Sequence, residues 1–408
     1  MKKNLKTNWQ NYFLIYTTLL IFFGISFLYS KHNVGNDSSI SDWFINYSGG
    51  FVRRGFTGEI ITNFSTLFSI GLRDSILIFQ IGFFVVLYYL IFLFCKNLFL
   101  NRLLILSILS PIFVLYPVAE IEALGRKELI VFLFYLTYLF VDIRSTTIQL
   151  IYKLSLFPIC ILVWEPSIFF FSYIFLLDLF VFRINKFDKD FFNLILSYLP
   201  SLLITIFIYI NPISPENYLI MANNLKSEFG EICYMSCSFV GAQSDNSFNE
   251  LFKTLTKNFK ISYAFRYLLI LLIGFLPLVI LLKYSSIKKK DSVIFEKKFK
   301  NLFLIFFVTF LPSTVLYFVM YDWARVIHVA YFFSLITFLF LLKENFILLD
   351  KNKIRKNLIS DISKKKFLMI FIIFTLSWNP KVVMPDDVAS KPIYAIPYKF
   401  YKLFLKNL

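Results

Sequence analysis

Arginine side chains recur in the polar segments that separate the long apolar runs of this chain. Arg53 and Arg54 stand in the glycine-rich stretch 49–58, and Arg126 and Arg325 stand in two later polar segments. A planar guanidinium donates two parallel hydrogen bonds and therefore suits phosphate. Nearby glycines would let backbone N–H groups approach an anion. The four arginines are predicted to bind phosphate; the alternative is a structural turn whose arginines reach lipid headgroups.

Carboxylates accompany these arginines at Asp42, Glu165 and Asp322, and His328 follows Arg325 by about one helical turn. A carboxylate or an imidazole can take the proton from a hydroxyl group during a transfer reaction. A partly buried acid beside aromatic rings would have the raised pKa that a general base needs. The three acids and the histidine are therefore candidate catalytic groups, and Glu128 and Asp37 are secondary candidates. The alternatives are ion pairs, such as Asp322 with Arg325 at i,i+3, and a packing role for the histidine.

A tryptophan neighbours each of the three acids in the sequence. Indole rings can stack on the C–H faces of sugar rings, which predicts a sugar-binding role at these positions. The alternative, given equal weight, is the interfacial aromatic belt that marks any membrane boundary. The three tryptophans are Trp43, Trp164 and Trp323.

The cysteines and histidines do not have the spacing of a metal site. Cys233 and Cys237 share one polar segment, but His32 and His328 lie far from them in the sequence. This arrangement resembles no zinc site, so we assign no metal ligand. A disulfide between the two cysteines is an open alternative. The cofactor also stays open, with a divalent cation as one candidate.

The composition of the chain indicates the class of protein that must position these residues. The 408 residues are 58% hydrophobic and 16% charged, and their mean hydropathy is +0.70. A soluble domain is about half apolar and a quarter charged. A soluble core could not bury this much apolar side chain, whereas lipid can solvate it. The sequence therefore predicts a polytopic membrane protein.

Apolar runs of spanning length predict an all-α bundle of about eleven transmembrane helices in one domain, residues 1–379. A basic, aromatic tail at 380–408 is predicted to lie on the membrane surface. The segments 31–75 and 211–263 are predicted to be the longer extracytoplasmic loops. Pro166 predicts a break in one apolar stretch that is too long for a single helix. The predicted spans are 12–30, 76–94, 103–118, 129–142, 149–163, 167–182, 192–210, 264–282, 301–320, 326–342 and 367–379.

Lysine and arginine clusters predict the orientation of the spans. The net charge is +17, and much of the lysine lies in short clusters between apolar runs. This distribution follows the positive-inside rule and puts the N-terminus on the cytoplasmic side of the inner membrane. It also argues against nucleic acid as a partner, since no RNA-binding module is present. With this orientation, all the candidate residues fall on the extracytoplasmic face.

Four short motifs resemble poorly characterised multi-pass membrane proteins encoded among bacterial surface-polysaccharide genes. The chain is also similar, more distantly, to GT-C glycosyltransferases, whose first outer loop holds an essential acid that Asp42 or Asp37 would match. A second distant similarity is to Wzy O-antigen polymerases and WaaL ligases, whose outer-face arginines and histidine act on undecaprenyl diphosphate-linked glycan. The motifs are Asp42-Trp43…Gly50-Phe51-Val52-Arg53-Arg54-Gly55, Gly125-Arg126-Lys127-Glu128, Trp164-Glu165-Pro166 and Asp322-Trp323-Ala324-Arg325.

The resemblance implies an enzyme that uses a polyprenyl-(di)phosphate-linked sugar in surface glycan biosynthesis, as a glycosyltransferase or a polymerase. Two departures separate the chain from both classes. The first outer loop lacks a paired acid, and the segment 211–263 contains lysine but no arginine. Two other functions stay open: a transporter or flippase for a lipid-linked or anionic substrate, and a non-catalytic subunit of an envelope assembly. Transport would favour ionisable groups at mid-membrane depth.

Overall fold

A computed structural model describes residues 2–34, 37–98, 101–141, 145–242, 259–288, 301–350, 354 and 362–382. Within these ranges the chain is mainly helical, with one small antiparallel sheet of two three-residue strands. Most of the predicted tail, 380–408, and residues 243–258 of the second long segment lie outside the described residues.

Six helical segments are long and apolar enough to cross a membrane. Together they confirm a multi-pass helical membrane protein. They are Trp9–Asn33, Leu72–Cys95, Lys189–Ile210, Ile261–Lys283, Leu302–Val319 and Trp323–Lys343.

The prediction of about eleven spans is not confirmed, because the other five predicted spans correspond to shorter pieces of helix. The apolar stretch 103–118 breaks into helices of seven and four residues. The predicted spans 129–142 and 367–379 correspond to helices of 13 residues each. A helix of 13 residues is about 20 Å long, whereas the hydrocarbon core is about 30 Å thick. Six segments of the described chain therefore have spanning length, and the other five predicted spans stay unconfirmed.

The helices of the first half of the chain begin and end as follows. They are α1 (Lys2–Val34), α2 (Ser38–Ser41), α3 (Gly55–Phe68), α4 (Leu72–Cys95), α5 (Arg102–Ile108), α6 (Tyr116–Ala119), α7 (Glu128–Phe140), α8 (Thr146–Ile151), α9 (Phe157–Val163) and α10 (Phe171–Val181). Short 3-10 helices cover Asp42–Phe44, Ile121–Ala123 and Glu165–Phe170, and a π-helical turn covers Tyr152–Leu156.

The second half contains the remaining helices and both strands. They are α11 (Lys189–Ser197), α12 (Leu199–Ile210), α13 (Pro215–Phe229), α14 (Ser236–Ala242), α15 (Ile261–Lys283), β1 (Ser285–Ile287), α16 (Leu302–Phe310), α17 (Leu316–Val319), α18 (Trp323–Lys343), β2 (Ile347–Leu349) and α19 (Lys364–Leu376). A 3-10 helix, Leu311–Val315, joins α16 to α17. The strands pair with Ser286 opposite Leu348.

Helix α18 forms the centre of the bundle. Nearly every residue along it is buried, and it packs against α10, α15 and α16. A helix that is apolar on all sides must be covered on all sides, and the neighbouring helices cover this one. Its first residue, Trp323, follows Asp322 directly, so the predicted catalytic motif marks the start of the central helix.

The chain between α5 and α6 is irregular and is buried except at Leu109, so its carbonyl groups need partners within the protein. His328 uses Nδ1 to donate to the carbonyl oxygen of Ile112 at 2.9 Å. The hydroxyl of Tyr88 donates to the carbonyl of Val114. These bonds to neighbouring helices stabilise a broken backbone where a continuous span was predicted, and they give His328 a structural contact.

The two segments predicted as long outer loops contain helices. Segment 31–75 includes α2, the 3-10 helix Asp42–Phe44 and α3, and segment 211–263 includes α13 and α14. Two glycines allow these pieces to pack closely. A Cβ atom at Gly49 would lie 1.9 Å from the carbonyl oxygen of Asn217, and one at Gly58 would lie 1.9 Å from that of Ile45. Both glycines therefore serve backbone packing rather than the approach of an anion.

Candidate functional site

A cavity of about 610 Å³ lies at the end of the bundle where α18 begins. Its walls come from the 3-10 helix Glu165–Phe170, from α12, from α14 and from α17. Charged groups gather in it although they come from four separate parts of the sequence. They are Arg53, Arg54, Arg126, Glu165, Asp322 and Arg325. All four predicted phosphate-binding arginines and two of the three predicted acids therefore line one cavity.

Apolar side chains line much of the rest of the cavity. From the 3-10 helix and α12 come Ile168, Phe169 and Ile208, and from α17 and its C-terminal end come Leu316, Val319 and Met320. Residues of α12 that do not face the cavity, such as Leu203 and Phe207, are exposed on the outside of the bundle. The cavity is thus charged in one part, apolar in another, and bordered by surfaces that suit lipid.

Arg54 and Glu165 form a bidentate ion pair at the wall of the cavity. Arg54 Nε donates to Glu165 Oε2 at 2.6 Å, and Nη2 donates to Oε1 at 2.8 Å. Arg53 Nη1 lies 3.5 Å from the same Oε1. Burial by itself would raise the pKa of Glu165, but the charges of Arg54 and Arg53 outweigh burial and hold that pKa below its usual value. Glu165 is therefore an ionised carboxylate bound by two guanidinium groups.

The backbone of Arg54 adopts a conformation that is rare for a residue with a side chain. Its φ is +62° and its ψ is +5°, in the left-handed region. Its carbonyl oxygen accepts a hydrogen bond from Lys127 Nζ at 2.6 Å. Strained backbone of this kind persists where the surroundings hold it in place. Lys127 and Glu165 together fix both ends of Arg54, the carbonyl and the guanidinium.

Asp42 lies behind Arg54 and does not line the cavity. The residue is 1% exposed, and its Oδ1 atom lies 3.7 Å from Arg54 Nη1 and has no hydrogen-bond partner among the residues that the structure describes. Burial by itself would raise the pKa of Asp42, but the positive charges of Lys127 and Arg54 hold it below its usual value. In this position Asp42 acts on the site through the charge of Arg54, because the guanidinium separates it from the cavity.

Arg325, near the start of α18, bridges two carboxylates. Its Nη2 donates to Glu128 at the start of α7, and its Nη1 donates to Asp322. The predicted pairing of Asp322 with Arg325 is therefore present, and Glu128 joins it. The arginine and Glu128 are buried, whereas 23% of the Asp322 side chain is exposed. Asp322 is thus the more accessible acid of this trio.

Arg126 is held by neutral acceptors. Its Nε donates to the carbonyl of Glu122 at 2.9 Å, and its Nη2 donates to Ser38 Oγ at 2.7 Å. A neutral acceptor leaves the positive charge of the guanidinium uncompensated, unlike the carboxylates that bind Arg54 and Arg325. Arg126 and Arg53 are therefore the cavity arginines whose charge is least neutralised by the contacts described above.

A disulfide supports the wall that lies next to Arg126. Cys233 and Cys237 are bonded, which settles the alternative that the sequence left open. The disulfide loop docks on α2, because Ser236 Oγ donates to the carbonyl of Ser38 at 3.0 Å. Ser38 is also the partner of Arg126, so the disulfide loop, α2 and this arginine are linked by hydrogen bonds.

The other predicted residues lie outside the large cavity. His328 borders a small cavity of about 20 Å³ next to Glu128 and Arg325. The three tryptophans, predicted to stack on sugar, are buried among protein side chains. Trp43 donates to the carbonyl of Gly125, and Trp323 donates to that of Tyr317. The third, Trp164, stacks on a phenylalanine.

The described ranges contain no cluster of three or more His, Cys, Asp or Glu side chains that could hold a metal ion. No family model, curated protein or solved structure matches this chain. The arrangement of the side chains is therefore the basis for a functional hypothesis.

Sequence reasoning missed Lys127, which is completely buried and donates to the carbonyl of Arg54. It ranked Glu128 only as a secondary candidate acid, although Glu128 is 5% exposed and bonded to Arg325. Both belong to the Gly125-Arg126-Lys127-Glu128 motif, from which only Arg126 was predicted as a principal site residue. The signal was the density of charge in a segment flanked by apolar runs, which is costly near a membrane unless each charge has a role.

Proposed function

We propose that this protein is a membrane glycosyltransferase or polysaccharide polymerase whose donor is a sugar linked to a polyprenyl phosphate or diphosphate. One observation carries the proposal: a single cavity combines four arginines and two acids with apolar walls at the surface of a helical membrane bundle. A lipid-linked sugar phosphate has a matching distribution of charge and apolar surface.

In this function, the lipid chain lies along the apolar walls formed by α12 and α17. The phosphate is held by Arg53 and Arg126, whose charges are the least neutralised by carboxylates within the cavity. Guanidinium groups bind phosphate oxygens by charge-assisted hydrogen bonds. The donor carries its own activation in the phosphate ester, so the reaction needs no nucleotide.

Glu165 and Asp322 are the acids in this cavity that can reach an acceptor hydroxyl. One carboxylate takes the proton while the hydroxyl oxygen forms a bond to the anomeric carbon. The bond between that carbon and the phosphate oxygen breaks, and its electron pair leaves with the phosphate. Arginine charges stabilise the leaving phosphate as its negative charge develops. Asp42 and His328 then act through their neighbours rather than by contact with the substrate.

The cavity is proposed to open on the extracytoplasmic face of the inner membrane, with the N-terminus in the cytoplasm. The disulfide next to the cavity supports this side, since disulfides persist in oxidising compartments. The positive-inside distribution of lysine points the same way. The acceptor is then a glycan of the cell envelope.

A complementation experiment tests the function. The gene is deleted in its host, and the surface glycan and lipid-linked intermediates are compared after complementation with wild type, Arg53→Ala or Arg126→Ala. Each substitution is expected to cost roughly 1.5–3 kcal/mol of donor binding, the usual value of a hydrogen bond to a charged group. We expect lipid-linked precursor to accumulate and long glycan to be lost.

Arg266→Ala is the matched control, because Arg266 is an exposed arginine near the start of α15 and outside the cavity. It should restore normal glycan. The proposal is wrong if deletion changes no glycan, or if both cavity variants complement fully at normal membrane levels.

Transport of a lipid-linked or anionic substrate is the second candidate, and one observation favours it. Lys153 and Asp178 form a 2.8 Å ion pair that is completely buried within apolar helices. Ionisable pairs buried among apolar helices of a membrane protein often mark the pathway of a transported substrate. Transport predicts that flipping of a lipid-linked oligosaccharide across vesicles is lost in Asp178→Asn, whereas the glycosyltransferase proposal predicts no effect on flipping.

A further inference from the structure

The carboxylate of Glu165 contacts the guanidinium groups of Arg53 and Arg54 as a phosphate group would. Two of its contacts with Arg54 are parallel, and its Oε1 is shared with Arg53. Phosphate and carboxylate are recognised by the same planar fork of N–H donors. The carboxylate is therefore placed where a phosphate oxygen of the donor would be bound.

This pair lies at the wall of the cavity and not in the closed interior of the protein. About a fifth of each side chain is exposed, 20% for Arg54 and 19% for Glu165. The cavity adjoining them offers space into which the carboxylate can move. Glu165 begins a short 3-10 helix after the extended residue Trp164, so its side chain can change direction without unfolding a long helix.

A second glutamate–arginine pair provides a comparison. Arg73 donates to Glu231 through two parallel hydrogen bonds, both of 2.8 Å. The geometry matches that of Arg54 with Glu165, but neither residue lines the cavity. The position of Glu165, rather than the type of pair, is what suggests competition with a ligand.

We propose that Glu165 is an internal competitor for the phosphate of the donor and is released when that phosphate binds. The phosphate, held by Arg53 and Arg126, also takes over the guanidinium of Arg54, and the displaced carboxylate turns into the cavity. This inference rests on the proposed function and adds a coupling to it: the site presents a free carboxylate only when a phosphate is bound.

The coupling has a chemical consequence for the transfer step. While two guanidinium groups hold Glu165, its oxygens are occupied and are poor proton acceptors. After displacement, one oxygen can take the proton of the acceptor hydroxyl as that oxygen bonds to the anomeric carbon and the phosphate leaves with the electron pair. The base thus becomes available only when the donor phosphate is bound. Without a bound donor, the carboxylate stays paired with the arginines and does not deprotonate a hydroxyl group.

Binding of farnesyl phosphate to the purified full-length protein in detergent tests the competition, with farnesol as the uncharged comparison. Glu165→Gln keeps the shape of the side chain but removes the competing charge. We expect it to bind farnesyl phosphate about tenfold more tightly than wild type, at the scale of one hydrogen bond to a charged group. Glu165→Asp, which is too short to reach both arginines, should also bind more tightly.

Glu231→Gln is the matched control and should bind farnesyl phosphate as wild type does, because its arginine lies outside the cavity. The proposal is overturned if wild type prefers farnesyl phosphate to farnesol but both folded Glu165 variants bind it equally or more weakly. If neither wild type nor the variants bind farnesyl phosphate, the proposed function itself fails. The two results are thus distinguishable.

Discussion

At the scale of single residues, the site depends on one arginine held in an unusual conformation. A left-handed backbone costs an ordinary residue about 1–2 kcal/mol. The hydrogen bond from Lys127 to the carbonyl of Arg54 offsets this cost. Among the neighbouring positive charges, the same ammonium group contributes most to lowering the pKa of Asp42. Lys127 is therefore a positioning residue that connects Arg54 with the acid behind it.

The stability of the protein is predicted to depend on Lys127 in alkaline solution. Burial, opposed in part by Asp42, lowers the pKa of Lys127 to about 8, from an ordinary value of 10.5. Between these two values the unfolded chain binds more protons than the folded one, so stability rises with pH across this window. Below about pH 8 the lysine is charged in both states and contributes no slope. In the Lys127→Met variant, stability should not increase with pH across this window.

The measurement is the melting temperature in detergent at several pH values in that window, compared between wild type and Lys127→Met. Lys226→Met is the control, since Lys226 is exposed on α13. It should keep the slope of wild type. Equal slopes in wild type and Lys127→Met would show that the lysine is not the titrating group.

At the scale of helices, a buried network joins α7, α8, the π-helical turn Tyr152–Leu156, α10 and the residue that precedes α12, and none of its members lines the cavity. Asp178 accepts hydrogen bonds from Tyr138 at 2.5 Å and Tyr198 at 2.6 Å, and pairs with Lys153. Lys153 lies in the π-helical turn and also donates to Gln149 at 2.9 Å. A charge pair inside apolar helices requires such complete partnering.

We predict that the two members of this ion pair are strongly coupled. Lys153→Met or Asp178→Asn alone leaves a buried partner unsatisfied, and should destabilise the protein by about 3–5 kcal/mol. The double variant Lys153→Met with Asp178→Asn should lose less than the sum of the single losses. Thermal denaturation of the four proteins in detergent measures the coupling, and additive losses would contradict it.

At the scale of the whole molecule, the bundle has two different ends. Helices α15 and α18 both begin at the end with the cavity and run to β1 and β2 at the opposite end. The disulfide and the charged cavity share the first end, and Lys283 and Lys343 end the two helices at the other. This polarity places the charged cavity and the basic helix ends at opposite ends of the bundle.

Labelling of cysteine in intact cells tests this polarity. Lys226→Cys, on α13 at the cavity end, should react with a membrane-impermeant maleimide. Glu344→Cys, after α18, should react only after the cells are permeabilised. The background should be low, since Cys95 and Cys160 are buried and the other two cysteines are bonded. Labelling of Glu344→Cys in intact cells would reverse the proposed orientation.

The sequence by itself determined the class of the protein and much of its layout. A helix of about 20 apolar residues is stable within the hydrocarbon core of a membrane, so six spans could be predicted directly from composition. The break at Pro166 is present for an equally local reason, because proline has no backbone N–H group to donate to a helical hydrogen bond. Counting lysines along the chain also placed the arginines and acids on one predicted face.

Only the tertiary structure decided which of these charges meet. Arg54 and Glu165 are 111 positions apart, and Arg325 and Glu128 are 197 apart, so no local pattern could pair them. The lengths of α5, α6 and α7 were likewise decided by packing. Side chains of distant helices donate hydrogen bonds to the backbone carbonyl groups that the interrupted helix between α5 and α6 leaves without helical partners. Hydrophobicity acts on each segment separately and is readable from sequence, whereas charge pairing depends on distances that exist only after the helices have packed.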